Sequence, residues 1–162
     1  MTMRTARSIT SGEYRIDFFM APFSQELEPP ENPGRFKVFL DSLEGFVVGG
    51  ILAGDGVVVI ASPAYLFSLA SRLTQCGIDV PNAIQREQYL TLDAEETLAK
   101  FMINGWPDNV LFNNFVTDIL RRAKAGGRRV RAFGEMVAVL WAQGNSGATV
   151  RLEHLWQRLC QE

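Results

Sequence analysis

The chain has little of what metal and redox sites are built from. Its 162 residues hold one histidine, His154, and two cysteines, Cys76 and Cys160, at no metal-ligand spacing. One imidazole cannot make a multi-histidine centre, and no cysteine cluster stands in for it. No cofactor is therefore expected. Both thiols read as reduced cysteines of a cytoplasmic protein, and His154, beside core positions of the last helix, reads as a surface residue. No apolar run approaches the roughly 20 residues that cross a bilayer. Residues 1–13 carry Arg4 and Arg7 but no apolar segment, which excludes a secretory signal and leaves a frayed terminus. A net charge of −2 gives no general attraction to nucleic acid or an anionic membrane.

What is present is an ordinary globular composition, 47% hydrophobic and 21% charged. A chain of this length buries about 70% of its unfolded surface, enough for one domain, here residues 14–162. Tyr14 to Met20 reads as a first strand, and the proline-rich stretch 21–34 as a loop. Phe36, Phe39, Leu40, Leu43, Val47, Gly50 and Ile51 recur at the helical period, with Gly54 as the stop. Val57 to Ala61 is continuously apolar, as in a parallel strand buried on both faces. Ser62-Pro63 opens a helix closed by Gly77. After a connector over 80–87, Tyr89 to Leu92 is a third strand, and Asp93 with Glu96 starts a helix whose inner face is Leu98, Phe101 and Met102. Gly105-Trp106-Pro107 breaks the chain, and Asp108 begins a helix running to Ala123. Val130 to Phe133 is the fourth strand, Gly134-Glu135 turns into an apolar helix, and a last helix carries Val150, Leu152, Leu155, Trp156 and Leu159. Strands alternating with helices predict right-handed crossovers and an α/β fold of three layers, a mainly parallel sheet with helices on both faces.

Glu135 stands just past the carboxyl end of a parallel strand, where open α/β sheets place ligands. Asp17 and Glu135 are the carboxylates in the least polar surroundings, and buried acids need a partner or shift upward in pKa. Arg131, between Val130 and Ala132, is expected either at a sheet end or paired with Glu135 or Asp17. Phe18, Phe19, Phe23, Phe133, Met136 and Trp141 are expected around the same sheet end, as wall of an apolar pocket or as ordinary core. With no nucleophile motif, the acids read as a structural network or ligand contact ahead of catalysis. The basic run Arg121, Arg122, Lys124, Arg128, Arg129 and Arg131 reads first as a helix end and loop, and only second as an anion patch.

The nearest approach to a phosphate loop is Gly49-Gly50-Ile51-Leu52-Ala53-Gly54-Asp55. Asp55 occupies the lysine position, and the helix precedes the strand instead of following it, so this reads as a helix end.

Four blocks resemble the MEDS domain, a sensory module named for methanogens, methylotrophs and a dichloromethane regulator. They are Gly54 to Pro63, then Leu92 to Leu98 with Phe101-Met102, then Gly126 to Gly144, and Arg151 to Trp156. The resemblance implies a relative of the RecA/KaiC ATPases that has lost the phosphate loop. In such a fold that loop would follow the first strand, but residues 20–34 hold one glycine, four prolines, three glutamates and no lysine. So few backbone amides beside so much negative charge cannot cradle phosphate. The family's opening histidine is missing, and Phe19 and Met20 stand where members carry Tyr-Glu.

The resemblance also implies a non-enzymatic sensor acting in signal transduction or transcriptional regulation, and the aromatic walls of the proposed cleft predict a small apolar or weakly polar ligand. Its partner would be a histidine kinase or transcription regulator, with self-association as a further possibility and no membrane or direct nucleic-acid contact. A degenerate nucleotide-binding protein or weak hydrolase, and a protein–protein adaptor, are the alternatives. The expected ligand residues are Asp17, Phe18, Phe19, Arg131, Phe133, Glu135, Met136 and Trp141.

Overall fold

A computed structural model describes the backbone of residues 7–11, 14–20 and 33–160, and side chains from 37 to 160. Among the described residues seven strands and seven α-helices follow in the order β1 (Arg7–Ser11), β2 (Tyr14–Met20), α1 (Pro33–Leu52), β3 (Gly56–Ala61), α2 (Pro63–Gln75), α3 (Val80–Gln85), β4 (Tyr89–Asp93), α4 (Ala94–Ala99), β5 (Met102–Ile103), β6 (Trp106–Pro107), α5 (Asn109–Ala123), β7 (Val130–Gly134), α6 (Met136–Ala142) and α7 (Ser146–Leu159). The stretch 1–13, expected to fray, thus contains a strand; the loop expected over 21–34 lies, through residue 32, outside the described residues.

The main sheet has the order β1-β2-β7-β3-β4. β2, β7, β3 and β4 are parallel, and β1 is antiparallel at the edge. β3, an inner strand between β7 and β4, is buried along its whole length, as its unbroken apolar run requires. Its alternation divides the core. Val57, Val59 and Ala61 pack with Leu43 and Val47 of α1, Leu69 and Leu73 of α2 and Ala83 of α3. Val58 and Ile60 pack on the opposite face with Leu98 of α4, Phe112 and Val116 of α5, Met136 and Leu140 of α6 and Leu152 of α7. The connections β2-α1-β3 and β3-α2-α3-β4 move one way across the sheet, and β4-α4-α5-β7 moves back. Right-handed crossovers demand opposite faces for opposite directions, and the two cores divide that way.

Two local readings change. Met102, expected on the α4 helix, belongs to a two-residue strand, because α4 ends at Ala99. Met102 and Ile103 pair antiparallel with Pro107 and Trp106. The turn between them is Asn104-Gly105, both at positive φ (51° and 75°), the geometry that an Asn-Gly hairpin turn favours. Ser62 precedes α2 as expected, yet its side chain makes no capping bond. Asp93, Asp108 and Asn145 do cap their helices, accepting from Glu95 and Glu96, from Leu111 and from Ala148 respectively.

Candidate functional site

The chain leaves β3 toward α2 on one face and leaves β7 toward α6 on the other, while the two strands lie side by side. A crevice opens between such diverging loops at the carboxyl ends of the strands. Glu135 lies at that point. Its amide donates to the Ile60 carbonyl at 2.9 Å, extending the β7–β3 ladder by one residue. Its side chain crosses to β3, where Oε2 accepts the Ser62 N–H at 2.8 Å. That amide is the first at the mouth of α2, so the carboxylate faces the positive end of a helix.

Glu135 is 6% exposed, and among the described residues no lysine, arginine or histidine forms an ion pair with it. Burial pushes its carboxyl above the usual range, and the Ser62 amide pulls the other way. Tyr65, one turn into α2, is half-buried; burial raises its phenol and the Glu135 charge raises it further. Tyr65 meets Phe39 of α1 edge-to-face at 5.1 Å, and Phe39 lies 5.5 Å from Phe133 of β7. These are ring-centroid separations within the favourable range for aromatic pairs. Phe133 is fully buried, whereas Phe39 and Tyr65 keep part of their surface. On the same side of the sheet, Arg72 of α2 binds Asp41 and, at 3.0 Å, Glu44 of α1, which fixes the two aromatic-bearing helices together.

The expected set is only partly brought together. Arg131 does not meet Glu135. It lies four residues earlier, at the start of the strand whose far end leads into Glu135, and it reaches Asp55 before β3, with Nε to Oδ2 at 2.7 Å. Asp55, the acid of the false phosphate loop, is 4% exposed and neutralised by that arginine. The guanidinium lies 5.8 Å over the Phe46 ring, and the arginine stem runs beneath Gly49 and Gly50 of α1. A Cβ at Gly50 would sit 2.7 Å from Val57 Cγ2 and 3.0 Å from Arg131 Cδ, so α1 approaches the arginine only because no side chain stands there.

Met136 is also elsewhere. It is 1% exposed and packs in the core under α6, across the sheet from Phe133. The chain crosses to the opposite face as it enters α6, which separates the two. Trp141 is half-buried at the last turn of α6, roughly 9 Å along the axis from Glu135 at the usual rise per residue. The backbones of Asp17, Phe18 and Phe19 register with Arg131, Ala132 and Phe133; their side chains, and Phe23, lie outside the described residues.

Ser62, Tyr65 and Phe39 were not among the expected site residues. Ser62 was legible only as a cap, and Tyr65 and Phe39 only as helix positions. The parallel register that sets β3 beside β7 joins them to Glu135. The basic run is largely committed. Arg121 pairs with Asp118 and Arg122 with Glu87, and Arg128 donates to the Glu87 and Arg86 carbonyls. Among the described residues no cluster of His, Cys, Asp and Glu is arranged to hold a metal, and no helix is long and apolar enough to cross a membrane.

A parallel α/β sheet flanked by helices, with a buried acid where the chain diverges to opposite faces after β3 and β7, belongs to the class of open sheets whose ligand positions lie at the strand ends. Within that class the chain belongs to the MEDS family, the methanogen/methylotroph, DcmR sensory domain, whose family model matches residues 35–162. Searches of curated proteins and of solved structures give no match.

Proposed function

We propose that this chain is a non-enzymatic sensor, which takes a small ligand between the ends of β7 and β3 and reports occupancy to a partner protein. The carrying observation is Glu135, a buried acid without a basic partner among the described residues, held by one backbone amide across the crevice. Membership of a sensory-domain family supports the same reading. A route for the signal follows from the geometry. The Ser62–Glu135 bond ties the start of α2 to the start of α6, on opposite faces of the sheet. A ligand that engages the carboxylate competes with the Ser62 amide and so changes how α2 is seated.

A signalling kinase or transcription regulator is the partner class this role calls for, and a cytoplasmic setting goes with it. Kinship with the RecA/KaiC ATPases belongs to the same proposal. It is supported by the parallel sheet with helices on both faces.

The test is a thermal-shift screen of small organic compounds against nucleotides, read with amide NMR shifts. A true ligand present at 100 times its dissociation constant stabilises the fold by about 2.7 kcal/mol, which raises the melting temperature by several degrees for a domain of this size. The amides of Ser62 and Glu135 should shift with it. Stabilisation by nucleotides alone, or magnesium-ATP turnover by the purified protein, would overturn the proposal.

A further inference from the structure

We infer that the ligand is a small organic cation, an alkylammonium with an apolar body, bound at Glu135 against the half-buried rings of Phe39 and Tyr65. This rests on the crevice being the ligand site and adds the chemistry. A carboxylate in an apolar setting needs a positive charge or strong donors to keep its charge. At the opposite end of the sheet the chain provides one, giving Asp55 the guanidinium of Arg131. At Glu135 it provides one backbone N–H and no cation among the described residues.

Aromatic rings replace the missing base. Phe39 and Tyr65 meet edge-to-face at 5.1 Å, with Phe133 behind them. Tyr65 lies close enough to Glu135 to sense its charge, and rings near a carboxylate are complementary to an ammonium carrying alkyl groups: the acid takes the N–H bonds and charge, and the rings attract the cation by their quadrupole and cover its carbon. An anionic ligand would meet Glu135 repulsively. A phosphate would find one carboxylate and one amide, the reverse of the donor-rich nest it requires.

The experiment compares three compounds of one shape on the full chain: tert-butylammonium, tert-butanol and pivalate. Binding is followed by titrating the amide shifts of Ser62 and Glu135 near neutral pH. The ammonium is expected to bind at least tenfold more tightly than the alcohol, and pivalate not at all. Glu135→Gln should remove that tenfold preference. Phe39→Leu, which keeps apolar bulk but loses the ring face, should weaken the ammonium several-fold and leave the alcohol nearly unchanged; it keeps the test decisive if the Gln variant does not fold. Equal binding of ammonium and alcohol at these amides overturns the cation assignment while leaving the crevice as the ligand site. Stronger binding of pivalate also overturns it. Absence of any shift at these amides, with every compound in the wider screen equally silent there, removes both the assignment and the site.

Discussion

Two buried acids stand at opposite ends of the same sheet, and the chain treats them differently. Asp55, before β3, meets Arg131 at 2.7 Å, and α1 closes over the pair through Gly49 and Gly50. Glu135, after β7, has a single amide from Ser62 and half-buried aromatic neighbours. Both are nearly inaccessible, at 4% and 6%. Burial alone therefore does not distinguish the two acids. The presence or absence of a counter-charge does, because an unneutralised buried carboxylate costs stability that a cation or a proton restores.

The sharpest way to break the comparison is at the closed end. Arg131→Met should cost about 3 kcal/mol, the lower part of the range for removing one partner of a buried pair, because the arginine side chain keeps 24% of its exposure. Urea denaturation at neutral pH measures it. A loss below about 1 kcal/mol, the usual worth of a surface ion pair, would show that Asp55 is solvated in solution and that the contrast with Glu135 is false.

Gly50→Ala probes the same end without touching charge. The added methyl would meet Val57 Cγ2 at 2.7 Å and Arg131 Cδ at 3.0 Å. Overpacking of this kind costs about 1–3 kcal/mol. The variant should melt several degrees lower. Thermal stability equal to the parent would mean that α1 lifts from the sheet without loss.

How much of this was legible in the chain follows from the range of each interaction. The alternation of β3 and α2, the caps Asp93 and Asp108, and the position of Glu135 beyond β7 are local patterns, and they appear where the spacing sets them. The hairpin of β5 and β6 was hidden although Asn104-Gly105 is its usual turn signal, because the run from Leu98 to Met102 also fits a helical face. Arg131 stands at a sheet end, one of its two expected placements, but its pairing with Asp55 was hidden for a different reason. Its partner lies 76 positions away in the chain and across one strand, and nothing in periodicity states that β7 lies between β2 and β3. The same register concealed Ser62, Tyr65 and Phe39. The two carboxylates that the sequence singled out fared unequally. Glu135 lies just past β7 and bonds across to Ser62 beyond β3, whereas the side chain of Asp17 is outside the described residues.

The open end responds to pH. Burial raises the Glu135 carboxyl above its unfolded value. Such a group contributes stability that is fully present below the unfolded pKa and is lost as pH rises through the folded one. Wild type should therefore lose ground to Glu135→Gln as pH climbs from about 4.5, the side with the permanently neutral amide gaining. Removing an acid that is paired with a buried base costs about 3–5 kcal/mol, because the base is stranded. With Arg131 occupied at Asp55 that penalty does not arise. The change is limited to one charge-assisted bond, about 1.5–3 kcal/mol, opposed by relief of a desolvated charge. Chemical denaturation of both proteins across pH 4 to 8 checks this. A constant difference over that range would show that burial does not raise the Glu135 carboxyl above its unfolded value.

The smallest effect separates the amide of Ser62 from its hydroxyl. The hydroxyl makes no capping bond to α2, so Ser62→Ala should change stability by less than about 0.5 kcal/mol, against about 1 kcal/mol for a helix cap whose side chain is bonded, such as Asp93. Ser62→Pro differs only at the backbone. The native φ of −64° already suits proline, and Ala61 before it is in a strand, the conformation a following proline favours. The substitution therefore replaces the N–H facing Glu135 Oε2 with a ring carbon and strains little else. The proline variant should be clearly less stable than the alanine variant near neutral pH. The gap should close in acid, where a protonated Glu135 no longer needs the amide. If the gap stays open in acid, the amide supports α2 by its position alone and the carboxylate is a bystander.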